Sequence, residues 1–364
     1  MYSRSKILFL ALIALALTAC TTPATEIPSA PAEEPAASPA DLAAIKTYLL
    51  DKGRQLATAS LALQDAADRY YSLAEVANFD YAALNTGQNA EVAKLIGEAQ
   101  TAWITASPLY EQMEGIVAGV PSLAEFDVIL DAGASAEEDP EGAVPFDLTL
   151  PDGRLLAQPG NLFGVLEATL WGTAPDFAAS SVSPDFNGNG ITDFGEAVPD
   201  ANVLKAVADA LATYVADLNT ASAAWQPTET DAFTALVVMI PTMSEYFDSW
   251  KNSRFVAGEA STQRDFVAIS RLSDIQDILG SLEVVYTGIK PLITSLNPVQ
   301  ADQIEADLTS LKTFVADVYA EEQSGKQYTS EEADLLGAEA QNRATALAGQ
   351  IAQLAAQLNI SVEE

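Results

Sequence analysis

Apolar residues recur every three or four positions through long stretches of this chain, and that spacing constrains its fold more than any other feature. Ala, Leu, Ile and Val at such intervals line one face of an α-helix, and that face must be buried against other helices. The pattern predicts helices over residues 41–76, 91–116, 201–224, 228–251, 272–296, 301–321 and 330–358. Helix-ending residues separate them, for example Gln226-Pro227 and Asn297-Pro298. The sequence therefore predicts an all-α, up-and-down helical bundle.

The bundle is predicted to consist of two halves, because residues 133–200 interrupt the helical pattern with an irregular segment. Within it, two short runs at residues 148–150 and 154–156 flank the turn sequence Pro151-Asp152-Gly153. A turn sequence between two short strand-like runs is typical of a β-hairpin. We therefore expect one small hairpin within residues 146–156.

The amino terminus has the layout of an export signal. Arg4 and Lys6 precede an unbroken apolar run over residues 7–17, which leads into Thr18-Ala19-Cys20. The run has about half of the roughly 20 residues that a membrane-spanning helix needs. We interpret residues 1–19 as a signal peptide with a lipobox and Cys20 as the lipidated first residue of the mature protein, a chance apolar run being the alternative.

The boundaries of the remaining chain follow from its composition. Residues 20–40 are rich in Pro and Ala, with little that could enter a core, and are expected to form a tether after the lipidated cysteine. The helical domain is predicted to occupy residues 41–360. The resulting protein would be exported and anchored by lipid to the cell membrane or outer membrane, in the periplasm or at the cell surface.

Missing residue types exclude several kinds of active site. The chain contains no His, and Cys20 is its only Cys. Without imidazole or a free thiol, Ser-His-Asp and Cys-His catalysis and imidazole-based zinc sites cannot be assembled. The 51 Asp and Glu residues against 17 Lys and Arg give a formal net charge of −34, which repels nucleic acid and attracts cations. For any single carboxylate, solubilisation of the surface is the alternative explanation.

One twelve-residue stretch, residues 185–196, has the register of a calcium-binding loop. Side-chain oxygens occur at loop positions one, three, five, nine and twelve, and Gly190 occupies position six. The expected Ca²⁺ ligands are Asp185, Asn187, Asn189, the backbone carbonyl of Ile191, Asp193 and Glu196. Because Pro184 and Pro199 flank the loop, we do not expect a full helix-loop-helix EF-hand. A Gly- and Asn-rich surface turn is the alternative.

Acidic residues at helical spacing form a second, more dispersed candidate site. Glu111 and Glu114 are three residues apart, and Asp127 and Asp131 are four apart, so each pair would face one direction from a helix. Glu167 lies within an apolar stretch further along the chain. In a chain with 51 acidic residues, such pairs also arise by chance on solvated faces. Spacing alone therefore leaves both explanations open.

The strings that contain these carboxylates resemble segments of a known family. Residues 109–116 read Leu-Tyr-Glu-Gln-Met-Glu-Gly-Ile, and residues 163–172 read Phe-Gly-Val-Leu-Glu-Ala-Thr-Leu-Trp-Gly. Together with residues 127–131, these strings resemble the signature segments of the imelysin-like proteins, in particular the EfeO- and EfeM-type iron-uptake components. The resemblance continues through residues 269–275 and 325–334 and thus covers most of the chain in order.

The resemblance implies a metal site between the helices of a bundle in two halves. The family site combines a Glu-x-x-Glu pair, an Asp and a His-x-x-Glu motif. Carried over by position, the implied ligands are Glu111, Glu114, Asp131 and Glu167, and the family histidine falls on Gly164. An all-oxygen ligand set suits hard cations such as Ca²⁺, Mg²⁺, Mn²⁺ or Fe³⁺ better than Zn²⁺ or Cu²⁺.

Three functions are compatible with these features. The first is a lipid-anchored protein, not an enzyme, that binds a metal cation through clustered carboxylates, with iron uptake and a permease or peroxidase partner as the further implication of the resemblance. The second is a surface scaffold or adhesion lipoprotein whose metal site has decayed, which Gly164 favours. The third, an extracellular peptidase, is disfavoured because His and a free Cys are missing.

Overall fold

Most α-helices of the described chain begin at polar residues whose side chains accept from the first free N–H groups. The computed structural model describes residues 40–179 and 182–363. Asp41 caps the first long helix by accepting from the Ala44 N–H, and Thr228 and Thr329 each form a reciprocal capping box. The predicted signal peptide, Cys20 and most of the tether lie outside the described residues.

Helices account for most of the described chain, which confirms the all-α prediction. The α-helices are α1 (Leu42–Val76), α2 (Tyr81–Gly87), α3 (Asn89–Val117), α4 (Ala124–Asp127), α5 (Leu162–Trp171), α6 (Ala201–Ala224), α7 (Glu229–Met239), α8 (Met243–Asn252), α9 (Arg271–Leu296), α10 (Pro298–Gln323) and α11 (Ser330–Gln357). A π-helical turn (Val128–Ala132) follows α4, and 3-10 turns occur at Pro175–Phe177, Ile240–Thr242 and Gly258–Ala260. The expected hairpin is present as β1 (Leu148–Thr149) paired antiparallel with β2 (Leu155–Leu156).

Two groups of helices share one core. In the first group α1 packs along α3 and α6, and α5 packs against α6. In the second group α9 packs against α10, and α11 packs against α7, α8 and α10. Helices α3 and α9 contact each other and thereby join the groups. The interface between α3 and α9 is therefore one place where side chains from both groups meet. Among the described helices, none is both long and apolar enough to cross a membrane.

Two helical segments are shaped by local features. The helical stretch over residues 228–251 divides into α7 and α8 at Pro241, where the sequence indicates a kink, because Pro241 lacks an N–H and adopts a non-helical ψ of 20°. The predicted irregular segment contains α5, a helix that is buried on nearly every side. A helix without an exposed face shows no amphipathic period, so the pattern that identified the other helices could not reveal it.

Candidate metal centre

The last turns of α3 carry two inward-facing carboxylates. Glu111 and Glu114 are 1% and 3% exposed, because this end of α3 is enclosed by the elements around it. Asp127 ends α4, and Asp131 projects from the π-helical turn that follows it. Both aspartates are 8% exposed. A π-helical turn widens the backbone spiral locally and is frequent at functional sites.

Three of these carboxylates form a compact cluster, which we call the carboxylate triad: Glu111, Glu114 and Asp131. Each offers one oxygen, and these three oxygens lie within 4.8 Å of one another. Oxygen ligands bind Ca²⁺ at about 2.3–2.6 Å and Mg²⁺ at about 2.0–2.1 Å, so oxygens this close can share one ion. The triad therefore has a separation and a chemistry that suit a hard metal cation.

A buried arginine from the first turn of α9 lies against the triad. Its Nη1 is 3.4 Å from an oxygen of Glu111, 3.4 Å from one of Asp274 and 3.8 Å from one of Asp131. These distances are long for charge-assisted hydrogen bonds, which are usually about 2.7–2.9 Å. Among the described residues, the Arg271 Nε has no hydrogen-bond partner. The Arg271 guanidinium thus neutralises part of the cluster without binding any one carboxylate tightly.

Aromatic residues complete the surroundings of these charges. The guanidinium carbon of Arg271 lies 4.6 Å from the ring centre of Tyr246 and 4.3 Å from that of Phe266, a favourable cation–π arrangement. The Tyr246 hydroxyl donates to Glu114 Oε1 at 2.9 Å, and the Tyr110 hydroxyl donates to an oxygen of Asp127 at 2.7 Å. The second oxygen of Glu114, Oε2, is buried without a hydrogen-bond partner in the described chain.

Burial makes the ionised form of this cluster costly. Burial, followed by the neighbouring carboxylates, raises the pKa of Glu111 well above its usual range. Burial also raises the pKa of Asp131 well above its usual range, against the opposing effect of Arg271. The pKa values of Asp127 and Asp274 rise to about 7, again chiefly through burial. A bound metal cation would reverse these shifts by favouring the charged carboxylates.

We expect the metal-free protein to lose stability as the pH rises from about 4 to about 7. The unfolded carboxylates titrate near pH 4, whereas those of Asp127 and Asp274 titrate near 7 in the fold. The native state therefore holds more protons across this window, and its advantage disappears as the pH passes the folded pKa values. Melting temperatures measured in chelator should fall over the window, and saturating metal should flatten the curve. A melting temperature that rises with pH in chelator would contradict this charge assignment.

The Glu167 carboxylate forms its hydrogen bonds with backbone N–H groups and not with members of the triad. Its two oxygens accept hydrogen bonds from the backbone N–H groups of Phe266, Val267 and Ala268 at 2.7, 2.9 and 2.7 Å. Burial raises its pKa to about 8, while these donors oppose the shift. The structure thus brings together Glu111, Glu114 and Asp131 but uses the carboxylate of Glu167 to hold the segment that precedes α9. Its role as a metal ligand stays a prediction.

Gly164 lies one turn before Glu167, in the first turn of α5, and lines the same cavity as Glu114 and Asp131. A Cβ at this position would lie 3.0 Å from an oxygen of Asn161 and 3.1 Å from one of Asp265. Asn161 is the N-cap of α5 and accepts from the Gly164 N–H at 2.7 Å. The position that the family histidine would take is therefore bordered by oxygen atoms at the wall of the cavity.

A cavity of about 540 Å³ adjoins the triad. Its wall includes the carboxylates of Glu114, Asp127 and Asp131 together with Tyr246, Phe266 and Arg271. The space is lined by residues from both helical groups, and the α8 and α9 residues Tyr246 and Arg271 contact the carboxylates of the α3 and α4 region beside it. The cavity gives the buried cluster an approach from outside.

Comparison with known families is consistent with this arrangement. Residues 44–359 match the family described as Imelysin (Peptidase M75). The chain belongs to the imelysin family. No curated protein gives a significant match to the chain. The family match spans the entire helical region from α1 to α11, so the triad, Arg271 and the cavity all lie within the imelysin domain.

Sequence reasoning did not identify several residues of the imelysin site. Arg271 and Asp274 lie within the resembling string at residues 269–275 and share one face at helical spacing, yet neither was singled out. Tyr246 had no local signal, because its contact with Glu114 spans 132 residues of sequence. The signal that the sequence offers is an arginine within the resembling string at residues 269–275, since buried carboxylates require a partner of opposite charge.

Acidic side chains of the predicted calcium loop accept hydrogen bonds from the loop's own backbone. Both oxygens of Asp185 accept loop N–H groups, including that of Gly190 at 2.8 Å. Glu196 Oε1 accepts from the N–H groups of residues 186 and 187, and its Oε2 accepts from that of Asp193. In the described chain neither end of residues 185–196 continues directly into a helix. The Ca²⁺ assignment of the six ligands stays a prediction.

Proposed function

We propose that this imelysin-family protein binds a hard metal cation through Glu111, Glu114 and Asp131. The observation that carries the proposal is the buried group of three carboxylate oxygens within 4.8 Å of one another. Carboxylates taken out of water without a compensating cation are costly, and Arg271 supplies only one positive charge to the cluster. A metal ion would neutralise the remaining negative charge and give Glu114 Oε2 a partner.

The chemistry of the ligands limits which metals are plausible. Every ligand in the triad is a carboxylate oxygen, and the chain has no imidazole and no thiolate after lipidation of Cys20. Hard ions such as Ca²⁺, Mg²⁺, Mn²⁺ and Fe³⁺ favour such oxygen donors, whereas Zn²⁺ and Cu²⁺ favour nitrogen and sulfur. We infer that iron, if bound here, is bound as Fe³⁺, in keeping with an iron-uptake role.

Elemental analysis of the purified protein, followed by titration with Ca²⁺, Mn²⁺ and chelated Fe³⁺, tests this proposal. We expect a metal ion that survives dialysis and that a strong chelator removes. After chelation, a hard ion should rebind and raise the melting temperature, because a ligand that binds only the native state stabilises it. Protein that contains no metal and gains no stability from any of the three ions would refute the proposal.

We further propose that the protein is exported and anchored through lipid on Cys20. The charged start, the apolar run and the Ala19-Cys20 pair support this placement. In an uptake system the anchored protein would pass its ion to a permease or act with a peroxidase partner, and no enzymatic activity of its own is proposed. A Cys20→Ala protein should leave the membrane fraction in a salt wash, whereas persistent membrane association would show another anchor.

The loop at residues 185–196 is proposed as a second, structural Ca²⁺ site. Its twelve-residue register supports the proposal, and Gln100 fastens it to α3 by donating to the Gly195 carbonyl at 2.8 Å. Ca²⁺ should raise the melting temperature, and the pair Asp185→Ala with Glu196→Ala should remove that increment. Identical melting curves for the unmodified protein in chelator and in Ca²⁺ would exclude the loop as a calcium site.

A scaffold lipoprotein with a decayed metal site is the second candidate function. Arg271 is the observation that favours it, because its guanidinium already places a positive charge among the three carboxylates. Gly164, at the position of the family histidine, also favours a decayed metal site. Under this alternative the protein would remain folded in chelator, and no ion would bind at the triad.

A further inference from the structure

The cavity beside the triad is much larger than a metal ion requires. Its volume of about 540 Å³ lies within the range of about 300–1,000 Å³ that is usual for pockets that bind small organic molecules. Helices from both groups line it, and its inner end reaches the buried oxygens of Glu114 and Asp131. The size therefore suits an organic ligand.

The charges on the cavity wall favour a cationic ligand. Six carboxylates line the cavity against the two guanidinium groups of Arg264 and Arg271. Arg264 is already paired with Glu138 at 2.6 Å, and Arg271 is shared among several carboxylates. An anionic ligand would meet the remaining carboxylates, whereas a cation would reduce their mutual repulsion.

One residue of the cavity wall has a buried oxygen without a hydrogen-bond partner in the described chain. Glu114 is 3% exposed and lines the cavity. Its Oε1 accepts from Tyr246, but its Oε2 has no hydrogen-bond partner among the described residues. A buried polar atom without a partner costs about 1–3 kcal/mol. A donor with positive charge would satisfy this atom better than a neutral group.

The surroundings of Arg271 show how this protein holds an organic cation of its own. The Arg271 guanidinium carbon lies 4.6 Å from the ring centre of Tyr246 and 4.3 Å from that of Phe266, and its Nη1 lies 3.4 Å from an oxygen of Asp274. The same rings and the same acidic surroundings border the cavity. Aromatic faces together with carboxylates form a recognised binding arrangement for organic cations.

We propose that the cavity binds a small organic cation, an alkylguanidinium or alkylammonium compound, whose charged end reaches Glu114 and Asp127. This binding goes beyond the proposed metal function and does not depend on it, although both use Glu114. An organic cation and a metal ion at the triad should therefore compete.

Titration with butylguanidinium in chelator, followed by melting temperature and calorimetry, tests the proposal. We expect saturable stabilisation that persists in about 0.3 M salt, where attraction to surface charge is largely screened. Butylurea has nearly the same shape without the charge and should give no saturable effect. Equal stabilisation by butylurea, or loss of the effect in salt, would overturn the proposal.

Matched variants locate the binding. Glu114→Gln should weaken butylguanidinium at least about tenfold, whereas Glu125→Gln removes the same charge from an exposed position on α4 and should leave the affinity unchanged. Asp127→Asn, whose amide oxygen still accepts from Tyr110, provides a second test if Glu114→Gln fails to fold. Unchanged affinity in the folded cavity variants would overturn the proposal. Metal binding by the same protein is measured in a separate titration. The metal proposal and the organic-cation proposal can therefore be refuted independently of each other.

Discussion

Replacement of Arg271 by Met is expected to destabilise the metal-free protein by about 3–5 kcal/mol at neutral pH, the usual cost of removing one partner from a buried ion pair. Met retains much of the side-chain volume, so the effect reports the lost charge. Without the guanidinium, Glu111, Asp131 and Asp274 would face one another with no buried cation among their described contacts. Chemical denaturation in chelator measures the loss directly.

The same variant should respond strongly to metal. If a metal cation can occupy the triad, Mn²⁺ should restore more stability to Arg271→Met than it adds to the unmodified protein, because it replaces the missing charge. Arg264→Met is the matched control, since the Arg264–Glu138 pair is 30% and 52% exposed and should contribute less than about 1 kcal/mol. A loss below about 1 kcal/mol for Arg271→Met would show that Arg271 does not balance the buried charge.

Glu167→Ala is expected to cost about 3 kcal/mol or more, because it removes the acceptor of three backbone N–H groups near the cavity wall. Each buried donor left without a partner costs about 1–3 kcal/mol. The Val267 donor is buried, and those of Phe266 and Ala268 are half-buried. The segment before α9 should also open, which faster amide hydrogen exchange at those residues would report.

A second variant separates shape from charge at this position. Glu167→Gln keeps one carbonyl oxygen, so it should cost less than Glu167→Ala while still losing at least one of the three hydrogen bonds. The exposed Glu125→Gln should change stability by no more than about 0.5 kcal/mol. Unchanged exchange at residues 266–268 in Glu167→Ala would show that this carboxylate does not hold the segment.

Periodicity in the sequence was sufficient to predict the long amphipathic helices. The expected ranges 201–224 and 330–358 agree with α6 and α11 to within one residue, because each helix has one buried and one exposed face. The short α5 gave no such signal, since it is buried on nearly every side. The division at Pro241 reflects a local backbone requirement that overrides an otherwise continuous apolar pattern.

Only part of the candidate metal centre was predicted from the sequence, because several of its contacts join residues that are far apart in the chain. Helical spacing correctly placed Glu111 and Glu114 on one face, and both are buried. The contact between Arg271 and Glu111 joins residues 160 positions apart, and local spacing carries no information about such a pair. Glu167 is held by backbone N–H groups, which every non-proline residue has and which therefore leave no sequence signature.

The metal stoichiometry of paired variants tests the central claim most directly. The protein is first given the changes Asp185→Ala and Glu196→Ala, so that the calcium loop cannot contribute. Calorimetric titration with Mn²⁺, which is hard and soluble at neutral pH, then compares this protein with a version that also carries Glu111→Gln and Glu114→Gln. Triad binding predicts a single ion per chain in the first protein and none in the second, with the metal-free stability of the second unchanged or increased because like-charge repulsion is removed. Equal Mn²⁺ binding by both proteins, or binding by neither, would contradict a metal centre at Glu111, Glu114 and Asp131.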